Sequence, residues 1–178
     1  MEATVEKHLK NLQWLSQEKN ATKDDVRGIY DNWAAEYDGS MPDICQCQNW
    51  KQIVRPLDVA VSKAFPDKGK DEIKIIDVAA GTGLTGVELN KLGYTSIDAL
   101  DISQEMLNEA NKKDVYKRFI CTHLGDQHTS EIQSGEYDAL TCVNALGNKH
   151  ILPTALEEMC RIVSKGKKHI FVVGVTSA

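Results

Sequence analysis

The sequence predicts an α/β protein, a doubly wound parallel sheet preceded by helices. From Ile73 onward, short apolar strands alternate with helical periodicities. Within that region, IIDVAAGTGLTG at 75–86 carries an apolar strand into a glycine turn, and SIDALDISQEML at 96–107 carries a second strand into Asp101. Asp101 stands about 20 residues past Gly81, the offset at which adjacent strand ends can share one nucleoside ligand.

Ahead of the sheet, Val5, Leu9, Leu12 and Leu15 share one face of a helix over 5–15. A second helix starts near Thr22, with Asp25 completing a capping-box variant, and its apolar face reads Val26, Ile29, Tyr30, Trp33, Ala34 and Tyr37. Ile53, Val54, Leu57, Val61, Ala64 and Phe65 mark a third between Trp50 and Phe65, which Pro56 must start, kink or break. Asp67 to Asp71 is a charged linker. Strands are expected at about 73–80, 96–101, 118–123, 137–144 and 168–175, and helices at about 84–92, 103–112 and 153–163. Gly93 stops the first of these helices and Ser103 caps the second, where Ile102 can staple onto Leu107. The domain reading is an N-terminal helical lid over 1–66 and a ligand-binding core over 67–178.

With 178 residues and 42% hydrophobic content, the chain can bury a sizeable core. Net charge −5 excludes a sequence-independent grip on phosphate backbones, which needs clustered Lys and Arg. The small basic runs Lys112/Lys113, Lys117/Arg118 and Lys165 to Lys168 read as solvated helix ends or turns. No stretch approaches the roughly 18 apolar residues of a membrane helix, and no basic start precedes an apolar run. Cytoplasm is the expected location, with the nucleus open, and neither nucleic acid nor membrane is an expected partner. Five cysteines, at 45, 47, 121, 142 and 160, form no C-x-x-C pair, so neither a disulfide framework nor a metal site is expected.

The glycine turn fits two cofactor classes on spacing alone. Gly81, Gly83 and Gly86 satisfy G-x-G-x-x-G, which with Asp101 is the fingerprint of a nicotinamide-dinucleotide oxidoreductase. The flanking residues favour another class. D-V-A-A-G-T-G, with an acid inside the first strand, followed by L-D-I-S-x-x-M-L, resembles motif I and the acidic motif of class I S-adenosylmethionine-dependent methyltransferases. IYDNWAAEYD (29–38) resembles the segment preceding the fold in many small-molecule methyltransferases, and EYDALTCVNAL (136–146) resembles their fourth strand. The chain is similar to the Williams–Beuren-region methyltransferase-like group, which shares D-V-A-x-G-T-G-L and a third strand like Cys121 to Gly125.

The resemblance implies a Rossmann-like core that binds S-adenosylmethionine, releases S-adenosylhomocysteine, and methylates a small-molecule or protein acceptor. It implies that Ala79, Ala80, Gly81, Thr82 and Gly83 let the backbone approach the methionine portion, with Asp77 supporting the turn or the amino group. Asp101 would hold the ribose, Ile102 would pack on the adenine, and Asp126 would accept from its exocyclic amine. Tyr30, Trp33 and Tyr37 would close over the methionine end, with Met106 and Asn144 completing the set. No catalytic side chain is assigned, because a sulfonium methyl is already activated and the enzyme mainly aligns the nucleophile. His150 and His123 are candidates should a base be needed. Asn144-Ala145-Leu146-Gly147 replaces the Asn/Asp-Pro-Pro-aromatic tetrad of enzymes acting on adenine or glutamine, which argues against those substrates.

The family usually continues past the fifth strand with another helix and a hairpin, whereas this sequence stops at Ala178 and reads Ser164-Lys165-Gly166-Lys167 in place of K-P-G-G. The expectation is a shortened chain lacking the C-terminal strands, with FVVGV (171–175) as an open edge for a second copy unless the N-terminal helices shield it. A non-catalytic cofactor-binding module stays open as the alternative to an enzyme.

Overall fold

A computed structural model describes residues 2–45, 49–147, 149–163 and 170–174. Four helices come first: α1 (Glu2–Gln17), α2 (Lys23–Asp31), α3 (Ala34–Cys45) and α4 (Asn49–Ala64). Strands β1 (Lys74–Val78), β2 (Ser96–Asp101), β3 (Arg118–Cys121), β4 (Ala139–Val143) and β5 (Phe171–Gly174) follow, with α5 (Leu84–Lys91) after β1, α6 (Gln104–Asn111) after β2 and α7 (Leu156–Val163) after β4. The connection from β3 to β4 holds no helix, so the alternation expected from the sequence is interrupted there. The strands form one parallel sheet in the order β3-β2-β1-β4-β5. The order reverses direction between β1 and β4, which opens a crevice at the carboxyl ends of the strands.

The sheet is covered on both faces, and period-two alternation assigns each side chain to one of them. Ile73, Ile75, Ile97, Ala99 and Ala139 pack with Leu57 and Val61 of α4, Leu89 of α5 and Leu107 of α6. On the opposite face, Ile76, Val78, Leu100, Ile120 and Leu140 pack with Met159, Ile162 and Val163 of α7. A third cluster, Trp33, Ala34, Met41, Trp50 and Met106, joins the N-terminal helices to α6. Most of α4's buried residues thus belong to the face of the sheet, while α2 and α3 lie over the strand ends.

Local signals explain the helix boundaries. Thr22 and Asp25 form a reciprocal capping box at the start of α2, Ser103 Oγ accepts from the Met106 amide, and Gly93 ends α5 with φ +99°. The apolar face expected to run unbroken from Val26 to Tyr37 is divided between α2 and α3. Asn32 causes the break: its side-chain amide donates to the Gly28 carbonyl at 2.6 Å, beside its own backbone N–H. Pro56 stays inside α4, where it and Gln52 are both exposed, so the carbonyl it leaves unpaired faces water. The charged linker is partly ordered: Lys68 pairs with the buried Asp138 and Lys70 with Asp58.

β5 lies at the sheet edge, paired only with β4 among the described residues. Its residues are half-buried, and Ile53 of α4 lies so close to Gly174 that an added Cβ would sit 2.9 Å from it. The expected Ser164–Lys167 turn, the Lys165–Lys168 basic run, His169, Val175 and Cys47 lie outside the described residues.

Candidate functional site

The strand ends and the N-terminal helices enclose one cavity. Its floor comes from Ala79 and Gly81 after β1, Asp101 and Ile102 after β2, Thr122 to Leu124 after β3, and Asn144 and Ala145 after β4. Its roof is Val26, Tyr30, Tyr37 and Met41, with Met106 at one side and Lys23, Lys149, His150 and Ile151 at another.

Asp101 is the one carboxylate of this lining. It is buried, its Oδ2 accepts from the Gly81 amide at 2.8 Å, and its Oδ1 accepts from the Ser103 amide at 2.9 Å. The Ile102 amide lies against the carboxylate too, and of a carboxylate's roughly four acceptor sites capacity remains for a ribose hydroxyl. Burial raises its pKa against the opposing pull of these amides, with the Asp31 charge adding to the rise. Gly81 adopts φ +56°, and a Cβ there would meet no protein atom within 4 Å. The turn therefore leaves space for a ligand beside the backbone.

Among the described residues, three of the four non-glycine positions with left-handed backbone line this cavity: Ala79 at φ 54°, Asn144 at 58° and Lys149 at 69°. Such conformations are costly for L-residues and cluster at ligand sites.

Of the sequence-expected residues, Tyr30, Tyr37, Ala79, Gly81, Asp101, Ile102, Met106 and Asn144 meet in the cavity, as do His123 and His150. Trp33 does not. It is buried inside the lid, its indole donates to Ser40 Oγ at 2.7 Å, and its ring stacks on His8 at 4.6 Å. The helix break at Asn32 separates it from the face that Tyr30 and Tyr37 present. Ala80 is buried in the core, and Asp126 is exposed outside the lining beside Gln127. Thr82 and Gly83 also lie behind the turn: Thr82 donates to Asp38 of α3, and Lys113 bridges Asp38 at 2.8 Å and the Thr82 carbonyl at 2.6 Å. Gly83, with φ +90°, faces Tyr116 and Ala110, so its lack of a side chain serves packing.

Asp77 likewise sits beneath the turn. Tyr116 Oη donates to its Oδ2 and Thr141 Oγ1 to its Oδ1, both at 2.7 Å, and its carboxylate is fully buried. Burial, opposed by these two bonds, pushes its pKa up to about 6. The folded state therefore holds this proton more tightly than the unfolded chain. Its contribution to stability is complete below about pH 4 and is lost as pH rises to about 6, a change of ~3 kcal/mol. Asp77→Asn should remove that fall from a series of melts between pH 4 and 7; an unchanged slope would place the titration elsewhere.

Sequence reasoning did not single out Lys23, Val26, Met41, Thr122, Leu124 or Lys149 for the lining. Nor did it find the ties that hold the roof: Asp31 accepts from Ser103 Oγ at 2.6 Å, and Tyr30 Oη meets His150 Nε2 at 2.8 Å. These are contacts across 72 and 120 residues, beyond any local periodicity.

The sheet order and the carboxylate closing β2 define a nucleoside-cofactor-binding α/β domain of the Rossmann-like kind. Residues 75–166, slightly more than half of the chain, match the methyltransferase domain family. The chain belongs to that family, in the class I group whose methyl donor is S-adenosylmethionine. It is 30% identical over 134 residues to methyltransferase-like protein 27 of Homo sapiens, covering 74% of this chain and 51% of that protein. It is also 30% identical over 145 residues to a demethylmenaquinone methyltransferase of Corynebacterium glutamicum, covering 80% and 56%. The DhpI structure with SAM and HEP superposes with a TM-score of 0.56 at 20% identity, over 87% of this chain and 67% of that one, a likeness of fold. The chain spans about half the length of the curated relatives it matches.

Proposed function

We propose that this chain binds S-adenosylmethionine in the cavity at the strand ends and transfers its methyl group to a small-molecule or protein acceptor. The observation that carries this reading is Asp101, a buried carboxylate with spare acceptor sites, beside a Gly81 turn with open space over its backbone. In this reading Asp101 receives the ribose hydroxyls, Ile102 and Met106 contact the adenine, and Ala79, Gly81 and Asn144 border the methionine portion. The cofactor supplies an activated methyl group; the protein aligns the nucleophile and excludes water. Tyr30 and Tyr37 close the roof. Asp77, Thr82 and Gly83 act from behind, by fixing the turn.

The lid in this reading is α1 to α3, and α4 belongs with the core because its apolar face packs on the sheet; the division falls near residue 46 instead of 66. No helix among the described residues is long and apolar enough to cross a membrane. The protein works in the cytoplasm or nucleus, and the β5 edge is where a second copy would pair.

Calorimetric titration tests the cofactor. S-adenosylhomocysteine should bind at one site per chain, and NAD should bind far more weakly, because the L-D-I-S segment and the acid-bearing first strand are those of the methyltransferase class. Tighter binding of NAD would overturn the reading.

A further inference from the structure

We propose that the acceptor entering this cavity is a small organic anion, carrying a carboxylate or phosphate that Lys23 and Lys149 hold at the rim. The inference rests on the methyl-transfer reading and names its substrate class.

Lys23 opens α2 and Lys149 lies in the turn after β4, and both line the cavity. Lys149 Nζ donates to the Lys19 carbonyl at 2.5 Å, four residues ahead of Lys23, so the turn after β4 and the start of α2 form one rim. That bond uses one of three ammonium donors. Among the described residues neither lysine meets a carboxylate, and what sets them apart from the other lysines without one is that these two line the cavity. The acids that follow Lys23 in the sequence are engaged elsewhere: Asp24 pairs with Arg27 at 3.2 Å, and Asp25 is held by the Thr22 cap. In a chain of net charge −5, two cations without acidic partners at the rim of the cavity create a local field of the opposite sign.

The turn that carries Lys149 is built to hold it there. Its backbone stays left-handed at φ 69°, and the surrounding bonds enforce this: Gly147 N–H to the Ile151 carbonyl at 2.7 Å, His150 N–H to the Gly147 carbonyl at 3.0 Å, and His123 Nε2–H to the His150 carbonyl at 3.2 Å. Among the described lining residues a cationic acceptor would find only Asp101 as a counter-charge, and in the methyl-transfer reading the ribose hydroxyls take the acceptor sites that Asp101 has to spare. A neutral acceptor would leave the lysine field unused.

The test uses the full chain loaded with S-adenosylhomocysteine and four probes, 4-hydroxybenzoate and phenyl phosphate as anions, 4-hydroxybenzamide as the neutral analogue and tyramine as the cation. At least one anion should bind about tenfold more tightly than the amide and the amine, and that preference should disappear in the Lys23→Gln/Lys149→Gln variant while S-adenosylhomocysteine affinity stays within about twofold. Lys23→Gln alone, at an exposed position, should reduce the preference should the double variant fail to fold. Equal binding of charged and neutral probes, or a preference that survives the substitutions, overturns the proposal. Titrating the anions without cofactor separates it from the reading beneath. Lysine-dependent anion binding by a chain that takes no S-adenosylhomocysteine would sustain the anion site and remove the methyltransferase; cofactor binding with no anion preference would do the reverse.

Discussion

Gly86→Val is expected to lower stability by about 2–6 kcal/mol or to prevent folding altogether, although Gly86 lies outside the cavity. A Cβ at this position would fall on the Tyr116 ring and hydroxyl. Tyr116 cannot yield without loss: it is buried, its hydroxyl donates to Asp77 at 2.7 Å, and it accepts from the Gly86 amide at 3.2 Å. Overpacking costs about 1–3 kcal/mol, and a displaced Tyr116 would strip a buried carboxylate of one of its two side-chain donors, for about 1–3 more. Gly83→Val should be similarly severe, because it adds a positive φ of 90° to a clash with the same ring at 2.9 Å. Gly81→Ala should cost only about 1–2 kcal/mol, since its Cβ meets no protein atom. Urea denaturation of the three variants gives the comparison. If Gly86→Val unfolds within about 1 kcal/mol of the wild type, close packing on Tyr116 is not what requires glycine there.

Those three glycines show which information the sequence carried. G-x-G-x-x-G marks a strand-to-helix turn, and the turn is found where β1 meets α5. The spacing does not distinguish a glycine that clears space for a ligand from one that clears space for a tyrosine, because Tyr116 lies 30 residues from Gly86. Parallel order was legible because β1, β2 and β4 are short, apolar and each followed by a helical periodicity, whereas the helix-free connection from β3 to β4 carried no such signal; Thr22, Gly93 and Ser103 punctuated the helices by local chemistry. The break at Asn32 was not, because apolar residues continue at helical spacing across it. That hidden break is why Tyr30 and Tyr37 face the cavity while Trp33 stacks on His8 inside the lid. Asp77 had the same limitation. A carboxylate within a buried strand announces a polar function, but its partners, Tyr116 and Thr141, are 39 and 64 residues away. Asp101 was the opposite case, since the end of a strand is both where nucleosides bind and where a sequence pattern is easiest to read.

Asp101→Ala is expected to weaken S-adenosylhomocysteine binding by about 1.5–3 kcal/mol, some 10- to 150-fold, the range for losing hydrogen bonds to a charged group. The loss will not be confined to the ligand. Because Asp101 also accepts from the Gly81 and Ser103 amides, its removal leaves two backbone donors without that acceptor and should destabilise the fold by about 1–3 kcal/mol. Affinity must therefore be read well below the melting transition, on a variant whose far-ultraviolet circular dichroism matches the wild type. Asp101→Asn separates the two effects. It keeps the side-chain volume and one acceptor oxygen, so it should recover part of the stability, but its amide group cannot accept a second ribose hydroxyl and its neutral charge weakens the remaining bond. The expected order of affinity is wild type, then Asn, then Ala, with melting temperatures in the same order. A folded Ala variant that binds within about twofold of the wild type would show that the ribose does not sit on Asp101, and the cofactor would have to be placed elsewhere in the cavity.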